Sequence, residues 1–422
     1  MQLRLLASGL LLALPLLAGC AEDDDLNAPE VAPENSVFRR YVSMGSSITA
    51  GFQSAGINDS TQQRSYAVLI ANASGAPFYV PSLQGRGCPA PFVNNVTQVR
   101  VGGGGPTDCD LRELEEFPWI SNVAVPGATS FSPVNNLSLG ANSNALTTFI
   151  LGGRTQIQAM QDVEPSLVSL WIGNNDVLGA LTFGANPGNP ALVTPQVAFE
   201  NNYGQILDAI EATGAEAILI TVADVSVIPF ASRTAIYYCL TYDDDLRCPA
   251  PLPQTPDPNL AGLEALGFWT VNTNCSAAEG GLSTLIPWTK ILPRLAAAAA
   301  AVPTTLDCDP VAQDTVLVTP TELAGLQGAV VGFNNFIQTQ AVARGMDYFD
   351  VNIPLAALVA DGIIPAVPNL APALDGDPVT FGPMFSLDGV HPSSEAHGFI
   401  ADSVAAHLNA AFGTSIPVPV PR

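Results

Sequence analysis

The sequence predicts a three-layer α/β sandwich, with a central, mostly parallel sheet, helices on both of its faces and disulfide-bearing insertions. Three observations lead there. Short apolar runs of strand length alternate with amphipathic stretches of helix length, as in sheets whose strands are buried on both faces by crossover helices. Of 422 residues, 48% are hydrophobic and only 12% charged, enough apolar material for a large core. Six of the seven cysteines fall in two stretches that interrupt the alternation, the first rich in Gly, Pro and Asn and the second in Pro.

Residues 1–19 read as a signal peptide: Arg4, then an apolar run from Leu5 to Leu17, too short to span a bilayer comfortably. The run ends in Leu17-Ala18-Gly19-Cys20, which resembles a bacterial lipobox and makes Cys20 the expected lipidation site and membrane anchor. The expected location is the bacterial cell envelope, at the outer membrane. An acidic, Pro- and Asn-bearing tether fills residues 20–36. One large α/β domain then occupies 37–413, with insertions at about 75–117 and 227–314, and 414–422 form a loose tail.

Within that domain, Phe38 to Met44 reads as a strand running into Gly45-Ser46-Ser47, and a helix follows from Tyr66 to Ala73. Ile120 to Val125 is a second expected strand, ending at Pro126-Gly127. Thr147 to Gln161 is helix-like. Ser166 to Ile172 is a third strand, delivering Gly173-Asn174-Asn175-Asp176. A helix from Gln196 to Thr213 precedes a strand from Glu216 to Val222. After the second insertion come a long helix (Pro320 to Arg344), a strand (Asp347 to Val351) and a final helix (Ser394 to Phe412). The second insertion, with Trp269, Trp288 and an alanine run at Ala296 to Ala301, reads as a lid or cap.

The formal charge of −24, from 38 acidic against 14 basic residues, repels phosphate backbones and argues against a nucleic-acid partner. With Cys20 assigned to lipid, the even remainder of Cys88, Cys109, Cys239, Cys248, Cys275 and Cys308 suggests disulfides; nearest-neighbour pairing gives three loop staples, although spacing alone leaves the connectivity open. No CxxC occurs and no histidine lies near a cysteine, so no metal or organic cofactor is expected.

Four short blocks stand where an α/β sheet gathers its chemistry, beyond the carboxyl ends of strands or before the last helix. In Gly45-Ser46-Ser47-Ile48-Thr49-Ala50-Gly51, a strand enters a helix through a hydroxyl residue, at the helix's positive end. Val125-Pro126-Gly127 is a tight turn with a backbone N–H to offer, and Asn175 supplies an amide donor. Asp388-Gly389-Val390-His391 places a carboxylate three residues before an imidazole that it can orient. No G-x-S-x-G occurs, which removes the nucleophile elbow of the α/β-hydrolases.

These blocks, in this order, resemble those of the SGNH, or GDSL-type, serine hydrolase superfamily. The resemblance covers residues from about 38 to 412 and implies a flavodoxin-like sheet. It implies Ser47 as nucleophile, Asp388 and His391 as its base pair, and an oxyanion hole of the Ser47 N–H, Gly127 and Asn175. One departure is Ser46, where the family usually has Asp; two serines are then adjacent, and the Gly–x–Ser–x–x–x–Gly spacing selects Ser47. The implied activity is esterase or lipase chemistry on a small-molecule, lipid or carbohydrate ester, by a monomer. The tryptophans of the second insertion lean toward lipid or aryl esters. A carbohydrate O-deacetylase and a non-catalytic surface binding lipoprotein on the same scaffold are the alternatives. His397 and His407 are expected to be packing or surface histidines, Asp176 a brace of the next helix, and Asp243-Asp244-Asp245 a solvated loop.

Overall fold

A computed structural model describes residues 37–113, 119–135, 145–182, 186–313 and 315–421. The expected signal peptide, Cys20 and the tether lie outside the described residues. The chain is mixed α/β. Its sheet has four parallel strands, β1 (Tyr41–Gly45), β2 (Leu167–Trp171), β3 (Glu216–Ile220) and β4 (Asp347–Phe349), side by side in that order. Tyr41 pairs with Leu167, Leu167 with Glu216, and Ile218 with Asp347. The segment expected as a strand over Ile120 to Val125 runs beside the free edge of β1. It makes one parallel bridge, Asn122 to Ser43, and the N–H groups of Val123 and Val125 donate to the carbonyls of Ser43 (3.0 Å) and Gly45 (3.2 Å). Pro126, which has no N–H, ends that ladder.

The helices that bear on the site are α1 (Ser47–Ala50), α2 (Tyr66–Ser74), α3 (Gln156–Val163), α4 (Asn175–Thr182), α5 (Gln196–Glu211), α6 (Pro320–Arg344), α7 (Asn352–Ala360) and α8 (Ser394–Phe412). Strand side chains alternate between faces. Val42, Met44, Val168, Leu170, Ala217 and Leu219 enter one apolar cluster with residues of α3, α5 and α6. Tyr41, Leu167, Trp171, Ile218 and Ile220 enter another with α2 and α8.

Caps explain why some boundaries were readable. Thr319 and Glu322 form a capping box at the start of α6, with Pro320 in its first turn and Gly345 closing it in a left-handed conformation. Ser393 caps α8 through the N–H of Ala396. The single helix expected from Thr147 to Gln161 is instead two, Ala145–Leu151 and α3. Gly152-Gly153 breaks the run, and a Thr155–Gln158 capping box starts the next helix.

Three disulfides follow the nearest-neighbour pairing: Cys88–Cys109, Cys239–Cys248 and Cys275–Cys308. The last two staple the second insertion, whose apolar residues cluster with Leu317, Leu370, Val379 and Phe381 from beyond it. Trp269 and Trp288 are buried in that cluster, with Trp269 Nε1 donating to Thr241 Oγ1 at 2.9 Å. Neither tryptophan lines the cavity beside Ser47, so the acyl-covering role expected of them is not the one they occupy. Among the described residues no helix is long and apolar enough to cross a membrane.

Candidate active site

Ser47 is the first residue of α1, immediately beyond β1. Gly45 is needed there because a Cβ would lie 2.4 Å from Thr49 Oγ1 and 2.6 Å from the Trp171 carbonyl. The turn is held from three sides. Gln156 Oε1 accepts the Gly45 N–H (3.1 Å), Asn122 Nδ2 donates to the Thr49 carbonyl (2.8 Å), and the hydroxyls of Thr49 and Tyr66 bond at 3.1 Å. Ser46 is buried and makes no side-chain cap to the helix. The loop thus has supports other than the residue that departs from the family pattern.

His391 arrives on a small loop between Met384 and Ser393. The N–H of Ser386 donates to the His391 carbonyl, that of Gly389 to the Ser386 carbonyl, and that of Ser393 to the Met384 carbonyl. Gly389 has φ of +72°, and a Cβ on it would meet the Phe381 ring at 2.6 Å. That turn sets His391 Nε2 2.9 Å from Ser47 Oγ and His391 Nδ1 2.8 Å from Asp388 Oδ2. An ionised carboxylate can only accept, so Nδ1 carries the proton and Nε2 presents its lone pair to the Ser47 hydroxyl. Ser47, Asp388 and His391, placed together from the sequence, are therefore in contact.

Asp388 is saturated with donors. Oδ1 accepts from the N–H groups of Val390 (2.9 Å) and His391 (2.8 Å) and from Ser386 Oγ (3.3 Å), while Oδ2 also accepts from the Ala55 N–H (2.7 Å). Burial alone would push its ionisation up. The His391 charge and these hydrogen bonds outweigh burial and hold it down at about 2.

The Ala55 donor is a residue the sequence reading missed. Ser54 and Ala55 sit consecutively at φ of +53° and +52°, a conformation L-residues rarely adopt. The first insertion pins this turn. Phe92 N–H donates to the Ser54 carbonyl at 2.8 Å, and the buried Arg100 guanidinium donates to the Ala55 carbonyl (2.8 Å) and the Ala90 carbonyl (2.6 Å) while lying 3.9 Å over the Phe92 ring. From the other side, Ser54 N–H donates to Ser386 Oγ at 2.8 Å, and Asn95 Nδ2 donates to the Leu387 carbonyl at 2.6 Å.

The expected oxyanion donors lie on neighbouring turns. The Ser47 N–H heads a helix, where no preceding turn supplies it an acceptor. Gly127 is exposed, and Asn175 opens α4. Asn175 Nδ2 donates one hydrogen to the Ala128 carbonyl at 2.9 Å, which leaves its second for a ligand. Asp176, expected to brace its own helix, reaches back to the Gly127 turn instead. Its Oδ2 accepts from the Ser130 N–H (2.8 Å) and its Oδ1 from Ser130 Oγ (2.7 Å). Burial raises its ionisation against those bonds. The Asn175–Ala128 and Asp176–Ser130 contacts together tie the Gly127 and Asn175 turns to each other.

The remaining candidates stand apart. His397 is fully buried, its Nδ1 accepting from the Tyr66 N–H at 3.3 Å, and burial lowers its ionisation to about 3. His407 is half-buried and bonds Asp347 at 2.8 Å. Asp244 pairs with Arg247 at 3.0 Å. Among the described residues no group of three or more His, Cys, Asp or Glu side chains is placed to hold a metal ion. No protein-family model matches the chain, and no curated protein matches it.

Proposed function

We propose that this chain is a serine hydrolase of carboxylic esters, of the SGNH or GDSL type, working through an acyl-enzyme on Ser47. The observation that carries the reading is the unbroken chain of contacts from Ser47 Oγ to His391 Nε2 (2.9 Å) and from His391 Nδ1 to Asp388 Oδ2 (2.8 Å). In the first half-reaction, Ser47 Oγ bonds to the ester carbonyl carbon as its proton passes to His391 Nε2, and the carbonyl π pair becomes an oxyanion. The N–H groups of Ser47 and Gly127 and the Asn175 amide stabilise that charge, each worth about 3 kcal/mol. Collapse breaks the bond to the alcohol oxygen, which takes the proton from His391. Water, deprotonated by the same imidazole, then releases the acid. Asp388 keeps the imidazole in the Nδ1–H tautomer and stabilises its cation.

The finer architecture belongs with this reading. With the Ile120–Val125 segment counted as an edge strand beside β1, the chain order across the sheet becomes that of a flavodoxin-like three-layer sandwich, the second segment lying outside the first. The apolar run before Ala18-Gly19-Cys20 supports an envelope protein anchored through a lipidated Cys20.

Fluorophosphonate labelling of the wild type beside Ser47→Ala and Ser46→Ala, with p-nitrophenyl ester turnover on the same samples, tests the mechanism. Label and turnover should vanish with Ser47→Ala, by about 10⁴-fold or more in kcat, and survive in Ser46→Ala. Loss with Ser46→Ala alone would move the nucleophile. A wild type that neither labels nor turns over would favour the non-catalytic binding protein.

A further inference from the structure

An apolar slot of about 100 Å³ opens beside Ser47, with Asn175 and His391 at its mouth. One wall is a single face of α8: Ala396, Phe399, Ile400 and Ser403 follow one another at helical spacing. The facing wall is α7 and the turn after it, with Leu355, Leu358 and Ile364. Of the polar groups away from the mouth, two are engaged, while the buried Trp171 indole N–H has no hydrogen-bond partner among the described residues. Asn174 Oδ1 accepts from the Ala223 N–H at 3.1 Å, and Ser403 Oγ donates to the Phe399 carbonyl at 2.9 Å.

From this geometry we infer that the slot holds an unbranched aliphatic acyl chain, making medium-chain acyl esters the substrates. The inference rests on the ester-hydrolase reading above. A sugar bears hydroxyls around its ring, and these walls would leave them without partners. An alkyl chain needs no partners there. The acyl group stays bonded to Ser47 through both half-reactions, whereas the alcohol leaves after the first, so a slot walled by Ser47 itself serves the acyl side. Its reach follows from α8. Ala396 to Ser403 is two helical turns, about 10 Å at 1.5 Å per residue. With C–C bonds of about 1.5 Å zigzagging at tetrahedral angles, that length takes about eight carbons.

The test is kcat/KM across p-nitrophenyl esters from acetate to palmitate, with wild type, Ser47→Ala, Ser403→Phe and Ala406→Phe. A parallel series of acetates of lengthening alcohols is followed by acid release. In the wild type each added acyl carbon should raise kcat/KM roughly three- to fourfold up to about eight carbons, then plateau or fall. Ser403→Phe, which fills the far end, should move the optimum to shorter chains by two or more carbons. Ala406→Phe, the same added bulk at an exposed position of α8 outside the slot, should keep the wild-type profile, and matching melting curves establish that both variants fold. A flat acyl series with activity that Ser47→Ala removes would overturn the slot and leave the hydrolase standing. A rise that follows the alcohol series instead would assign the slot to the leaving group and overturn the acyl placement. Failure of the wild type to label or turn over any ester would overturn the hydrolase reading itself, and this inference with it.

Discussion

Replacing Asp388 by Asn changes one oxygen to an amide and keeps the shape, yet no orientation of the amide fits its donors. If the NH₂ takes the Oδ1 position it confronts the N–H groups of Val390 and His391; if it takes the Oδ2 position it confronts the Ala55 N–H and the protonated His391 Nδ1. Each arrangement loses one or more charge-assisted bonds, and relieving the clash at Nδ1 forces the imidazole into the tautomer that cannot accept the Ser47 proton. The first effect bears on stability. An ionisation held at about 2 rather than 3.8 corresponds to about 2 kcal/mol. Because the folded value is the lower one, that stabilisation is present above the unfolded value of 3.8 and is lost as pH falls through 2. Asp388→Asn should therefore lower Tm at neutral pH by roughly 2–3 °C, and the difference from wild type should shrink in acid. The second effect bears on rate: kcat on a p-nitrophenyl ester should fall by about 10⁴-fold, the size seen when a triad carboxylate elsewhere is made an amide. Melting curves from pH 7 to pH 3, with initial rates on the same samples, check both. A variant that retained a tenth of wild-type kcat would refute the orienting role, leaving a Ser47–His391 dyad.

Asp176→Asn should be mild, because an amide can accept the Ser130 N–H and donate to Ser130 Oγ; Asp176→Ala removes both contacts and should cut kcat about tenfold or more with little change in KM. Equal rates for the two variants would detach that clamp from catalysis. Gly389→Ala brings a Cβ to 2.6 Å from the Phe381 ring at a left-handed φ and should cost about 2–4 kcal/mol in denaturant unfolding, with loss of turnover. Arg100→Met leaves the Ala55 and Ala90 carbonyls without their guanidinium donor and should lower both Tm and kcat, by about 2–4 kcal/mol in the former's terms. An unchanged kcat would show that the Ser54–Ala55 turn keeps its shape without Arg100.

What the sequence made legible was carried by side chains with local signatures. Thr319, Pro320 and Glu322 announce the start of α6, and Gly345 its end, so that helix falls where the pattern put it. Gly45, Ser47 and the Asp388–His391 pair are legible because each turn needs those residue types. Gly152-Gly153 shows the limit of periodicity, since the apolar repeat continues across a break that only the glycines and the Thr155–Gln158 capping box mark. Contacts made by backbone atoms left no trace. Nothing about Ala55 as a residue says that its N–H reaches a carboxylate 333 positions away. Asp176 was readable as a first-turn acid of α4, but its partner Ser130 lies on another turn and has no signature of its own. The face of α8 that lines the slot can be drawn from its spacing, whereas the facing Leu355 and Leu358 follow only from how α7 packs.

The two cysteine-bearing insertions do different things. The first converges on Asp388: Arg100, Phe92 and Asn95 hold the Ser54–Ala55 turn and the Leu387 carbonyl on either side of it. A pair of left-handed non-glycine residues costs about 1–2 kcal/mol each, so the turn persists only because the surrounding bonds over-determine it. Those bonds supply Asp388 with a donor on the same oxygen that receives His391 Nδ1. That donor competes with the imidazole for the carboxylate and at the same time fixes where the carboxylate sits, which favours orientation over basicity as the role of Asp388. The Cys88–Cys109 staple belongs to this buttress: Cys88 N–H donates to the Ile57 carbonyl, and the Ile57 N–H to the Pro89 carbonyl, two residues beyond the strained turn. The second insertion buries its tryptophans away from the slot and reaches it at Ile228, while α7 and α8 supply two of the slot's walls. Chain-length preference should therefore be set by the helices of the α/β unit, and the geometry of the triad by the first insertion.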